Sequence, residues 1–328
     1  MLTLIVLSIL LCGLFMYCLY LYLTPTLTKE KYAYPHRGIE PLPENKLKYD
    51  KENIWHSPSG VGHHMYISQP EPGQPREATL IFLGDLRSGG SRFTHLAIRL
   101  KEWGITTYVL DAEGFGQSDG VPGELVSPQI LISSVLAFTN HVCDLMAEEA
   151  KDSTVLRPSL LVGGSGYGAT LAMALCIAKP GLFKATLLFN PVLANSSLLL
   201  KYLEGPLLLL ASMIPCWRLI DPIPLDLTTA NWAVPRMARL QGHKYAHTGK
   251  WRTASVAHLL LLSKLVQDRL EDMNTPFALF QGQEDMVSDL QTNNELLKRS
   301  RYLFSLGLFL LPLPLSLLPL FCLSLPST

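Results

Sequence analysis

Ser165 and Asp285 are the residues whose types and spacing best suit nucleophilic chemistry. Ser165 stands in Leu160-Leu161-Val162-Gly163-Gly164-Ser165-Gly166-Tyr167-Gly168-Ala169, where an apolar strand runs into a glycine-rich turn and a helix begins. That order is expected to place the serine at the apex of a strand–turn–helix elbow, its hydroxyl exposed at the carboxyl edge of a sheet. The N–H that follows, that of Gly166, would then face a developing oxyanion beside a helix N-terminus. The competing reading is a phosphate loop. GGSGYG lacks the lysine of such a loop and is a poor G-x-G-x-x-G match. Asp285 ends Gln281-Gly282-Gln283-Glu284-Asp285, 120 residues after Ser165, and suits the acid of a triad in the order Ser, Asp, His.

The base is missing from that order. The nine histidines are residues 36, 56, 63, 64, 95, 141, 243, 247 and 258, and all precede Asp285. A serine hydroxyl without a base is a poor nucleophile. In a triad enzyme the loss is on the order of 10⁶ in kcat. Only His243, His247 or His258 offers a rescue, from a region without clear strand–helix order. A further glycine-rich stretch, Asp111–Gly120 (DAEGFGQSDG), follows a strand directly and is expected to be a tight structural connection. No CxxC pair or His/Cys cluster suggests zinc, and no cofactor is expected.

These residues need a frame. Strands are expected at Thr79–Leu83, Thr106–Leu110, Ser159–Val162, Ala185–Phe189 and Pro276–Phe280, with helices over Phe93–Trp103, Ser127–Ala150 and Ala169–Ala178. Such alternation implies a doubly wound α/β fold: a mostly parallel sheet with helices on both faces and right-handed crossovers. Between Asn190 and Met273 the alternation lapses among Pro206, Pro215, Pro222, Pro224, Pro235 and many leucines. That stretch reads as an inserted, mainly helical cap over about residues 191–273.

The ends are different in kind. Leu2–Leu23 carries no charge and, at 1.5 Å per residue, is long enough to cross a hydrocarbon core of about 30 Å. It is expected to be a retained anchor rather than a cleaved leader, since no Lys or Arg precedes it and no A-x-A site follows. Lys29, Lys31 and Arg37 after it place the following domain in the cytoplasm by the positive-inside rule. The expected organisation is an anchor over 1–24, a proline-bearing linker over 25–53, a globular domain over 54–301 and a tail over 302–328. In Leu308–Thr328, nineteen of 21 residues are Leu, Pro, Ser or Phe. That composition reads as a translated pyrimidine-rich stretch, so the domain is expected to be truncated near Arg301, with its last strand absent and a sheet edge unpaired. The competing reading is a second membrane segment over Tyr302–Leu325, whose helix Pro312, Pro314 and Pro319 would break. Lys+Arg and Asp+Glu both number 27. Bulk charge therefore excludes a basic nucleic-acid binder, and 48% hydrophobic residues exclude a mostly disordered chain.

Together these residues resemble the α/β-hydrolase superfamily, most closely its monoacylglycerol lipase and lysophospholipase group with a serine-aminopeptidase-type domain. The resemblance spans about Ile54 to Arg299. Its most specific part is Asp111–Gly120, which looks like D-x-x-G-x-G-x-S-x-G. Ser91-Arg92-Phe93 with Leu96-Ala97 looks like the segment after an oxyanion loop, and Gly249–Arg252 with Val256–Val266 looks like the end of the cap. The resemblance implies a membrane-anchored serine hydrolase of acylglycerol-like or lysolipid esters. Ser165 would be its nucleophile, Asp285 its acid, and the backbone N–H groups of Leu86 and Gly166 its oxyanion donors. Three departures stand out: Tyr167 in place of the second elbow glycine, Gly84-Asp85 in place of His-Gly, and no histidine after Asp285. The alternative is a non-catalytic member of the fold that binds a lipid or protein partner.

Overall fold

The computed structural model describes residues 11–17, 48–71, 73–86, 89–151, 158–194, 204–220, 250–282, 285, 287–299 and 309–311. Residues 11–17 are helical and exposed, while the rest of the apolar block expected to be an anchor lies outside the described residues.

An eight-stranded sheet forms the centre. Its strands are β1 (Lys51–His56), β2 (Gly62–Ser68), β3 (Ala78–Leu83), β4 (Ile105–Leu110), β5 (Ser159–Ser165), β6 (Ala185–Phe189), β9 (Phe277–Gly282) and β10 (Phe309–Leu311). The spatial order is β1-β2-β4-β3-β5-β6-β9-β10. From β4 onward every pairing is parallel, and β1 and β2 add antiparallel strands at one edge. All six residues of β3 (ATLIFL) are buried. A strand covered on both faces reads as an unbroken apolar run.

Helices supply the layers: α1 (Thr94–Glu102), α2 (Pro128–Lys151), α3 (Tyr167–Ala178), α4 (Glu204–Met213), α5 (Thr253–Gln267) and α6 (Leu290–Arg299). A short ribbon of β7 (Arg218–Ile220) and β8 (Trp251–Arg252) stands apart. Helix α2 has the length and hydropathy of a membrane span. Its Leu131, Val135, Phe138 and Val142 form one stripe at helical spacing, however, and that stripe is buried in the main core. Helix α3 has eleven of its twelve residues buried, as befits a helix packed under β5 and against α2 and α5.

Three expectations change. The linker read to residue 53 already contains the start of β1, which pairs with β2 from Lys51↔Ile67 to His56↔Gly62. The Val256–Val266 segment, read as the end of the cap, lies in α5, where Val256, Leu259, Leu262 and Val266 belong to the main core. The edge expected to be unpaired is covered in part, because Phe309–Leu311 runs parallel to Phe280–Gly282. An apolar tail needs no designed sequence to do this, since an exposed strand edge is a template for any extended backbone.

Candidate active site

The turn that joins β5 to α3 decides the site. Ser165 is the last strand residue, in register with Phe189 and half-buried. Gly166 is the turn itself, with φ 59° and ψ −125°. That region is open to glycine and strained for other residues. The Gly166 carbonyl accepts from the N–H groups of Ala169 (3.1 Å) and Thr170 (3.2 Å), closing the first turn of α3. Two expectations are corrected here. The apex is Gly166 rather than Ser165. The Gly166 N–H is no oxyanion donor, because it donates to the Phe189 carbonyl at 2.9 Å as the last rung of the β5–β6 ladder.

The neighbouring glycines show why the turn is so tight. A Cβ at Gly168 would lie 2.2 Å from the Leu83 carbonyl oxygen and 2.5 Å from that of Gly84. A Cβ at Gly164 would lie 2.4 Å from the Gly168 backbone. No real Cβ approaches that closely, so these two positions exclude every other residue. Tyr167 needs no such space. Its ring is buried in the main core, 2% exposed, so the phenol is accommodated away from the tight crossing.

Across from the turn runs the segment after β3. Leu86, the other expected oxyanion donor, sits there with its side chain buried in the same core as Tyr167. Asp85 faces the elbow. Its Oδ1 lies 3.5 Å from the point a Cβ on Gly166 would occupy. Beneath them is a cavity of about 20 Å³ bordered by Leu83, Asp85, Phe115, Val135 and Leu171, room for about one water.

Asp285 lies past the carboxyl end of β9 and is held on all sides. Its Oδ1 accepts from the N–H groups of Val287 (2.8 Å) and Ser288 (3.3 Å), and its Oδ2 from the Ser288 hydroxyl (2.7 Å) and the Gln281 amide (3.1 Å). Buried Asn293 donates to Gln281 Oε1 (2.7 Å) and to the Pro191 carbonyl (2.9 Å). Asn190 accepts from the Gly282 N–H at 2.8 Å and has φ 46°. Sequence reasoning missed this amide network, which fixes the acid's loop to the ends of β6 and β9. Nothing marks such residues in advance, since isolated Asn and Gln are common in loops.

The Asp111–Gly120 loop has the structural role expected of it. The buried Asp111 carboxylate accepts from the N–H groups of Gly90 (2.5 Å) and Gln117 (2.9 Å) and from the Tyr66 hydroxyl (3.1 Å). Burial pushes this carboxyl above the ordinary carboxylate range, with the three donors pulling the other way. Ser118 donates to the Asp111 carbonyl at 2.7 Å and accepts from the His64 N–H at 2.9 Å.

His63 and His258 are engaged elsewhere. His63 donates through Nδ1 to the Asp111 carbonyl (3.2 Å), and its Nε2 meets the Ser134 hydroxyl (3.3 Å). His258 donates through Nδ1 to the Leu125 carbonyl at 2.7 Å. Among the described residues no hydrogen bond joins a histidine to Ser165 or Asp285, and no His/Cys/Asp/Glu group could hold a metal ion. His36, His243 and His247 lie outside the described residues.

Comparison with known proteins agrees with this architecture. The family model for serine aminopeptidase, S33, matches residues 74–302. A monoacylglycerol lipase from Paleococcus ferrophilus superposes with a TM-score of 0.56 at 16% identity, covering 72% of this chain and 84% of that one. A monoglyceride lipase from Saccharomyces cerevisiae gives 0.63 at 12% identity, covering 79% and 85%. A carboxyl esterase from Bacillus coagulans gives 0.58 at 13% identity, covering 76% and 86%. With the parallel sheet, the elbow between β5 and α3 and the carboxylate after β9 in place, the chain belongs to the serine aminopeptidase S33 family, and its domain is an α/β-hydrolase of monoacylglycerol lipase-like build.

Proposed function

We propose that this protein binds lipid-like carboxylic esters, of the acylglycerol or lysophospholipid kind, in the cleft at the carboxyl edge of its sheet, and that it turns them over poorly or not at all. One observation carries the reading. The frame of an ester-hydrolysing cleft is kept, with its tight elbow and braced acid, while among the described residues no hydrogen bond joins a histidine to Ser165 or Asp285. Ligands of open α/β sheets bind at this edge. The lipid part rests on two of the matched structures being monoacylglycerol and monoglyceride lipases. It rests also on α4, which buries Leu207 and Ala211 but exposes Leu209 and Met213, with Trp217 exposed nearby. Leu2–Leu23 would hold the domain at a membrane, on its cytoplasmic side, where such lipids are supplied. No cofactor is called for.

The test is binding and turnover measured together. Full-length protein in detergent micelles is titrated with a fluorescent monoacylglycerol and with its non-hydrolysable ether analogue. Saturable binding of both, with fatty-acid release no faster than in protein-free micelles, is expected. Absence of binding to either would overturn the lipid reading. The second reading, a working serine hydrolase, is favoured by the half-buried Ser165 at the end of β5. It requires fatty-acid release that Ser165→Ala abolishes.

A further inference from the structure

We infer that residue 166, not Ser165, is the reacting position of this cleft, and that glycine there leaves the cleft without a nucleophile. The inference rests on reading the cleft as that of a hydrolase.

Three independent observations place the reacting position. The first is backbone strain. In a nucleophile elbow the reactive residue is the one in the sharp strand-to-helix turn. Gly166 alone in this turn has that backbone, at φ 59° and ψ −125°, while Ser165 still pairs with β6. The second is spacing. The elbow pattern puts a small residue two positions to either side of the nucleophile. The positions where a Cβ would strike backbone at 2.4 Å and 2.2 Å are Gly164 and Gly168, and they centre on 166. Centred on Ser165, the second glycine would have to be Tyr167, whose ring is instead buried in the core. The third is space. A Cβ built at 166 meets nothing nearer than Asp85 Oδ1 at 3.5 Å, ordinary van der Waals contact. Position 166 is thus strained yet roomy, the combination that a projecting side chain needs.

Asp85 completes the inference. Its carboxylate faces the point where a side chain on 166 would begin. A negative charge there opposes an oxyanion, because like charges in a partly desolvated cleft repel strongly. The cleft is therefore built to hold an ester without attacking it.

Cysteine substitutions test this without any need for a base. Gly166→Cys and Ser165→Cys are made in the full-length chain. Both variants are treated in detergent with a long-chain chloroacetamide, whose chloride leaves as the thiolate carbon–sulfur bond forms, and the adducts are mapped by peptide mass spectrometry. The thiol introduced by Gly166→Cys is expected to react at least tenfold faster than the one introduced by Ser165→Cys, and excess monoacylglycerol ether should slow it. Equal rates or the reverse order would overturn the inference. If Gly166→Cys does not fold, Ser165→Cys decides alone. Reaction no faster than that of half-buried Cys143 supports the inference, and lipid-protected reaction tenfold faster overturns it. Binding of the ether is measured on the same samples. Its absence, with the thiol at position 166 still the faster, would remove the lipid reading and leave the assignment of residue 166 standing.

Discussion

Replacing Gly168 by alanine adds one methyl group at the point where α3 passes β3. The added carbon would lie 2.2 Å from the Leu83 carbonyl oxygen and 2.5 Å from that of Gly84. A carbon and a carbonyl oxygen come no closer than about 3.3 Å in ordinary contacts, so α3 must retreat by roughly 1 Å. Neither obstacle can give, since both are backbone at the end of the central strand. Nor can α3 move freely, because eleven of its twelve residues are buried. Overpacking of this kind costs about 1–3 kcal/mol and occasionally more, and the upper end, about 3 kcal/mol, is expected here. In a domain of this size that is a fall of roughly 6–12 °C in Tm. Thermal unfolding of the full-length chain in detergent measures it, with Gly205→Ala as the reference. Gly205, like Gly168, lies in a helix without positive φ, but nothing lies within 4 Å of its Cβ position, so that variant reports the glycine-to-alanine change without overpacking. A Gly168→Ala variant that unfolds within about 1 °C of the parent would refute the close-packed elbow and the register built on it.

Asp111→Ala leaves the Gly90 and Gln117 N–H groups and the Tyr66 hydroxyl without their acceptor. Each orphaned buried donor costs about 1–3 kcal/mol, so a loss of at least about 3 kcal/mol in urea unfolding is expected, against less than about 0.5 kcal/mol for an exposed substitution such as Glu71→Ala. Burial pushes the His63 imidazole below its ordinary range, with the Asp111 carbonyl pulling the other way. The unfolded chain therefore takes up a proton before the folded chain does. The stability His63 contributes is present above pH 6.5 and is lost as pH falls below it. His63→Gln should flatten the dependence of the unfolding midpoint between about pH 7 and pH 5. The full-length chain should stay with membranes through alkaline carbonate extraction, and a chain beginning at Lys48 should not.

The sheet was legible because its central strands are apolar on both faces. TLIFL, TTYVL and SLLV each fall inside a strand observed one to three residues longer, and ATLLF coincides with β6. The β1–β2 hairpin escaped notice because it is an edge. β1 (KENIWH) is mostly exposed and shows no apolar run to mark it. The elbow was legible as a turn but not in register. GGSGYG can be centred on either of two residues, and the serine, as the stretch's aliphatic hydroxyl, drew the centre to itself. The signal that settles the matter was present. Gly164 and Gly168 lie two residues either side of 166, and Tyr167 becomes an ordinary core residue in that register. Asp85 was marked by standing where the resemblance puts the glycine of His-Gly, but its place beside position 166, 81 residues on, was not. The Asn190, Gln281 and Asn293 amides had no such signal, since Asn190 meets the Gly282 N–H across 92 residues and Asn293 meets Gln281 across 12.

The central claim, a hydrolase-family cleft that holds an ester without cleaving it, is met most directly by recovering the ligand. Full-length protein is saturated with a radiolabelled monoacylglycerol, freed of excess, held for a day and extracted. Recovery of the bound lipid as intact ester, one per chain, is the expected result. Free fatty acid in its place, released over repeated turnovers and lost on Ser165→Ala, would contradict the claim and return Ser165 to the role of nucleophile.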